Sequence, residues 1–151
     1  MSESFIKIKR HKNTKGELPP LPKKATSGSA GFDLCAFCES FVVIEPQGLV
    51  KIPTGISIEI PIGYAGFVFG RSGLGIKNGI TLSNSVGVID SDYRGEIVVG
   101  LCNISDESYT ISPLERIAQL VIMPVGGFDL IEAEELDDTI RGKNGFGSTG
   151  K

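Results

Sequence analysis

Ile56-Ser57-Ile58-Glu59-Ile60, read ISIEI, alternates apolar and polar residues with a period of two, the pattern of a half-buried β-strand. Pro53 and Pro61 bracket it, at strand ends where a missing N–H is tolerated. Working outward, similar β-type runs recur at Phe41–Glu45, Tyr64–Phe69, Glu96–Leu101, Tyr109–Ile111 and Ile117–Met123, with Pro113 and Pro124 beside two of them. Between the runs, 20 glycines and 8 prolines punctuate the chain. No window carries a long apolar stripe at helical spacing. The best helical candidate is a turn or two after Ser72, weakened by Gly73, Gly75 and Gly79. No repeat of fixed period is present. These features predict an all-β fold, a sandwich or barrel of many short strands. The polar segment to about Lys24, with Pro19, Pro20 and Pro22, reads as an extended lead-in. The acidic stretch Glu132–Asp138 reads as a solvated linker before a glycine-rich tail.

A chain of 151 residues, 40% of them hydrophobic, suits one domain with one core that needs no staples. A net charge of −3 argues against bulk nucleic-acid binding. An anionic ligand must therefore meet a local cluster of Arg and Lys, or bring its own cation. The three cysteines, Cys35, Cys38 and Cys102, are an odd number, against a disulfide framework. Cys35-x-x-Cys38 has neither a second pair nor a nearby histidine, so reduced thiols are expected. The opening MSESFIKIKR has no apolar core of a secretory signal, and no apolar run nears the ~20 residues of a membrane helix. A cytoplasmic location is the expectation.

Five stretches place polar residues and glycine among apolar strands. In Ser29–Ala36, Asp33 lies between Phe32 and Leu34, so alternation turns its carboxylate away from the core, toward solvent or a ligand. In Gly70–Ile80, Arg71, Ser72 and Gly73 follow a strand directly. They offer a forked donor, a hydroxyl and close backbone approach, a set that suits phosphate oxygens. In Asn84–Ile97, an apolar strand runs into Asp90, Asp92 and Tyr93 and returns in another, as a β-hairpin would; hairpins also use Asp and Gly for backbone reasons alone. In Glu115–Val121, apolar residues surround Arg116 and Gln119. The last stretch, RGKNGFGSTGK (Arg141–Lys151), ends on a G-x-x-x-x-G-K pattern. It is no Walker loop, because neither the required Ser or Thr nor a helix follows the lysine. Phe146, amid glycines with no strand around it, suits stacking on a flat ligand.

Several chemistries are set aside. One histidine, His11, in a charged leader, supports no Ser-His-Asp site, and catalytic zinc spacing is missing. Carboxylates, Arg, Ser and Gly remain. They fit water attack on a phosphate, with an Asp as base and a metal ion carried by the phosphates.

In order, AGFDL, RSGLG, GVIDSDYRG, ERIAQL and RGKNGFGSTG resemble the five motifs of the homotrimeric dUTPase family, over the chain from about Leu18 onward. The resemblance implies a distorted jelly-roll or β-barrel at 1–136 and a mobile glycine-rich lid at 137–151. It implies a homotrimer with shared active sites, dUTP as substrate, Mg²⁺ as cofactor, and no nucleic-acid or membrane partner. The reaction would be dUTP plus water to dUMP and pyrophosphate, which limits uracil incorporation into DNA and supplies dUMP for thymidylate synthesis. By the same resemblance, Asp90 is the general base, and Arg71, Ser72 and Gly73 hold phosphates. Asn84 and the main chain around Val88, Ile89 and Asp90 read the uracil edge. Tyr93 packs under the deoxyribose and excludes a 2′-hydroxyl, and Val98 closes the pocket floor. Asp33 and Gln119 lie near the phosphates and the waters around Mg²⁺, and Arg116 orients carboxylates. Phe146 stacks on uracil, Arg141 reaches the terminal phosphate, and Gly147, Ser148 and Thr149 help to cradle it. One departure stands out: Gly70 replaces the family's usual Pro before Arg-Ser-Gly. dCTP deaminases resemble this fold but use a Glu base, whereas Asp90 and Tyr93 follow the hydrolase pattern. A non-catalytic β-sandwich module is the other alternative.

Overall fold

The computed structural model describes residues 5–143. The strands are β1 (Lys7–Arg10), β2 (Phe32–Cys35), β3 (Val42–Ile44), β4 (Leu49–Pro53), β5 (Ile56–Glu59) and β6 (Tyr64–Gly70). After helix α1 (Ser72–Asn78) come β7 (Ile80–Leu82), β8 (Gly87–Ile89), β9 (Val98–Asn103), β10 (Tyr109–Ile111) and β11 (Arg116–Pro124). They form four sheets, ordered β1-β5, β10-β3, β2-β11-β6-β8 and β4-β9-β7. All pairings are antiparallel. The fold is all-β, as the alternating runs predict.

One core joins the sheets. Leu34, Ile44, Ile52, Ile56, Ile80, Leu101, Ile111 and Ile117 are almost wholly buried within it. Its few buried polar groups are satisfied. Thr54 Oγ1 donates to Ile97 O at 2.6 Å, and Asn103 Nδ2 donates to Ile44 O and Glu107 O. Such bonding is what makes interior polar atoms tolerable.

The structure corrects three local expectations. The N-terminal segment is no plain lead-in, because β1 pairs with β5 from Lys7↔Glu59 to Arg10↔Ile56. All four residues of β1 are exposed, and charged side chains are usual on an edge strand; the alternation Ile6-Lys7-Ile8-Lys9 marks it only over a short stretch of the polar leader. This strand also covers the polar face of ISIEI. Ser57 is buried, its Oγ 2.8 Å from His11 Nε2, so β5 is buried on both faces along most of its length. Thirdly, Asn84–Ile97 is not a simple hairpin: β8 pairs with β6, whereas β9 pairs with β4 and β7. The stretch crosses from one sheet to the other and so forms a wall between them.

Helix α1 forms despite its glycines because Leu74 is buried in the core. Gly79 does not weaken it but ends it, at φ 65° as a left-handed cap whose N–H bonds back to Gly75 O at 3.1 Å.

The entry to β11 is pinned by Glu115. One carboxylate oxygen accepts from Tyr109 Oη at 2.5 Å and the other from Ser112 N at 2.9 Å. Burial, then the hydrogen bond and charge of Glu115, push the Tyr109 phenol up to about 12 from an ordinary 10. A raised phenol contributes stability that is whole below pH 10 and is lost as pH rises toward 12. Tyr109→Phe is therefore expected to flatten the fall in urea midpoint over that interval; an unchanged slope would discount the pair.

Candidate active site

The first cluster gathers where β2, β11 and the end of β6 meet. β11 pairs with β2 through Arg116↔Cys35 and Ala118↔Leu34, so Ile117 is an extra residue, a β-bulge. On a regular strand, Arg116 and Gln119 would face opposite sides. The bulge lets Ile117 and Ala118 both enter the core while Arg116 and Gln119 turn to one side. Arg116 Nη1 lies 3.1 Å from Asp33 Oδ2, and Arg71 Nε lies 3.3 Å from Asp33 Oδ1. Arg71 Nη1 also donates to Arg116 O at 3.1 Å, and Gln119 Nε2 to Gly70 O at 3.3 Å. The carboxylate expected to face solvent or a ligand thus holds two guanidinium groups.

Asp33, Arg71 and Gln119 line an open bowl of about 300 Å³ together with Ser29, Gly31, Ser72 and Gly73. Two arginines against one aspartate leave one excess positive charge, and forked guanidinium donors match phosphate oxygens. At Gly70, a Cβ would meet no atom within 4 Å, so crowding does not require glycine there. Arg71 is fixed instead by its links to Asp33 and Arg116, which supply rigidity that a proline would give through the backbone.

The second cluster is a cavity of about 270 Å³ behind the Asn84–Ile97 wall. Asn84, Val88, Ile89, Asp90, Tyr93 and Val98 line it, together with Val68 and Leu82. Pairing of β8 with β6 at Gly66↔Ile89 delivers Asp90 to its edge, exposed. Beyond Asp90 the chain turns, with Tyr93 N donating to Asp90 O at 3.2 Å. The lining is apolar at the back and polar at the rim, as small flat ligands require. Glu96 belongs to this lining and was not singled out from the sequence. Its position directly after the Asp-Tyr-Arg-Gly turn is the one signal that pointed to it.

The bowl and the cavity share no lining residue. Arg141 is exposed, beyond the last strand, and lines neither. Phe146, Gly147, Ser148 and Thr149 lie outside the described residues. Cys35, Cys38 and Cys102 are free thiols, and burial raises Cys35 and Cys38 above the ordinary range.

A family model described as dUTPase matches residues 19–150. The chain belongs to the dUTPase family. A curated dUTPase relative, the deoxyuridine 5′-triphosphate nucleotidohydrolase of Desulfitobacterium hafniense, is 50% identical over 146 residues, 96% of this chain and 97% of that protein. The solved dUTPase of Staphylococcus bacteriophage 80alpha with dUPNHPP is 28% identical and superposes with a TM-score of 0.86, covering 99% of this chain and all of that one. A mutant dUTPase from phage phi11 of S. aureus, solved to describe coordination of a structural Mg(II) ion, shares the fold at 24% identity and a TM-score of 0.76, over 87% of this chain and 98% of that one.

Proposed function

We infer that this protein is a dUTP diphosphatase, cleaving dUTP with water to dUMP and pyrophosphate. The observation that carries this is identity at half of all positions, nearly end to end, with a deoxyuridine triphosphate nucleotidohydrolase. The site chemistry supports it: one cavity suits a base and sugar, and one bowl suits phosphates. The activity limits uracil incorporation into DNA and supplies dUMP for thymidylate synthesis.

In the mechanism we propose, uracil enters the cavity against Val88, Ile89 and Asn84, and Tyr93 lies under the deoxyribose. Asp90 orients a water and takes its proton as the oxygen attacks the α-phosphorus. The bond from that phosphorus to the bridging oxygen breaks, and pyrophosphate leaves with that oxygen. Arg71, Ser72 and Gly73 hold the phosphates, and Arg116 and Asp33 keep Arg71 in place. The segment 137–151 closes over the ligand, with Arg141 and Ser148 toward the terminal phosphate and Phe146 on the base.

The donors present fit a Mg²⁺ ion that arrives on the triphosphate. No group of three His, Cys, Asp or Glu gathers among the described residues, and both oxygens of Asp33 are engaged by arginines. Mg²⁺ commonly keeps several waters and binds through substrate phosphates, and Asp33 would meet it through such a water. When bound, the ion supplies positive charge against the phosphate oxygens.

We propose a homotrimer in which the bowl of one copy completes the cavity of another. The separation of the two clusters supports this, and so does the segment after β11. Phe128, Leu130, Ile131, Leu136 and Ile140 are between 87% and 110% exposed there, a row of large apolar residues that needs a partner surface. The proposed location is the cytoplasm; among the described residues no helix is long and apolar enough to cross a membrane.

The test is pyrophosphate release from dUTP, dCTP, dTTP and UTP, with Mg²⁺ and with chelator. Mg²⁺-dependent cleavage of dUTP alone is expected; cleavage of none would leave a binding module. Arg71→Ala is expected to raise KM for dUTP about 10–100-fold, the scale of a lost hydrogen bond to a charged group. An unchanged KM would remove Arg71 from phosphate holding.

A further inference from the structure

We propose that Gly95 is a positioning residue for sugar discrimination, acting through the ring of Tyr93. This rests on the reading of Tyr93 as the face that meets the sugar. Tyr93 Oη donates to Glu96 O at 3.0 Å, so the ring folds back along its own chain and crosses residue 95. A Cβ built on Gly95 would lie 2.5 Å from Cζ and 2.9 Å from Cε2 of that ring, and closer still to its oxygen. Any side chain at 95 therefore takes the place of the ring.

The backbone on the far side does not give way. Glu96 Oε1 accepts from Gly55 N at 2.7 Å, Ile97 N donates to Ile56 O at 2.8 Å, and Thr54 Oγ1 donates to Ile97 O at 2.6 Å. Residues 96 and 97 are thus tied to the β4–β5 turn. Tyr93 is 45% exposed, and its ring is held at the tip by the hydrogen bond to Glu96 O. Gly95 does not occupy the left-handed region, so alanine fits its backbone. The substitution acts on the ring and not on the fold. With the ring displaced, the surface that separates a 2′-hydrogen from a 2′-hydroxyl is lost, while Asp90 and the cavity walls remain.

The experiment compares kcat/KM for dUTP and UTP in wild type, Gly95→Ala, Tyr93→Ala and the double variant. Gly95→Ala is expected to lower the dUTP/UTP ratio about 10-fold or more, the scale of discrimination by a single pocket group. The double variant should discriminate no worse than Tyr93→Ala alone, because one ring accounts for both losses. If Tyr93→Ala lowers the ratio and Gly95→Ala does not, or if the two losses multiply, the role of Gly95 is overturned and that of Tyr93 stands. If Tyr93→Ala leaves the ratio unchanged, the sugar role of Tyr93 fails and takes this proposal with it. Should Gly95→Ala fold poorly, urea midpoints decide: removing the ring must restore stability if the ring is what clashes, and no restoration overturns the proposal.

Discussion

Asp90→Asn is expected to bind dUTP as the wild type does and to turn it over about 10²–10⁴-fold more slowly, the usual scale for loss of a general base. Asparagine has nearly the same shape and keeps an oxygen that can orient water. What it lacks is the capacity to take a proton as the oxygen–phosphorus bond forms. The local frame should survive, because the turn after Asp90 rests on its main-chain oxygen, which accepts from Tyr93 N, and not on its carboxylate. Cavity walls such as Ile89, held in the β8–β6 pairing, are likewise untouched. Equilibrium titration and single-turnover pyrophosphate release measure the two parts separately. Wild-type turnover in this variant would remove Asp90 from the mechanism; lost binding would assign it a holding role instead.

Deleting Gly142–Lys151 is expected to leave a folded assembly and lower kcat/KM at least ~10²-fold, the scale of losing two charge-assisted hydrogen bonds at ~1.5–3 kcal/mol each. The fold should survive because the core is built wholly from residues before β11 ends at Pro124. Ordering about ten residues costs on the order of 10–20 kcal/mol of backbone entropy. Only a ligand with several charges offsets much of that, so the truncation should damage dUTP binding far more than deoxyuridine binding. Sedimentation would check the assembly, and full activity in the truncated chain would refute the lid.

The strands with one buried face were legible in the sequence, because apolar alternation is what marks them. Tyr109–Ile111 matches β10 residue for residue, and Tyr64–Phe69 and Ile117–Met123 fall within β6 and β11. β1 was only faintly marked, since Ile6-Lys7-Ile8-Lys9 alternates over just four residues of a polar leader and the strand exists through its pairing with β5. The burial of Ser57 followed from the same cause. The candidate site was legible by residue type through resemblance, but its division between two separate clusters was not. That division depends on β8 and β9 joining different sheets, which no local pattern encodes. Glu96 escaped notice because its carboxylate bonds a backbone N–H from Gly55, 41 positions away.

The bulge at Ile117 has a consequence for how this chain can vary. Side chains along β11 can change while its phase is kept. Gain of one residue between Arg116 and Gln119, beyond the one the bulge absorbs, would leave a plausible strand, still apolar and still paired with β6, yet would turn Arg116 and Gln119 to opposite faces of the sheet. Drift in this strand is therefore constrained in length before it is constrained in identity, the reverse of what holds in the surface loops around it.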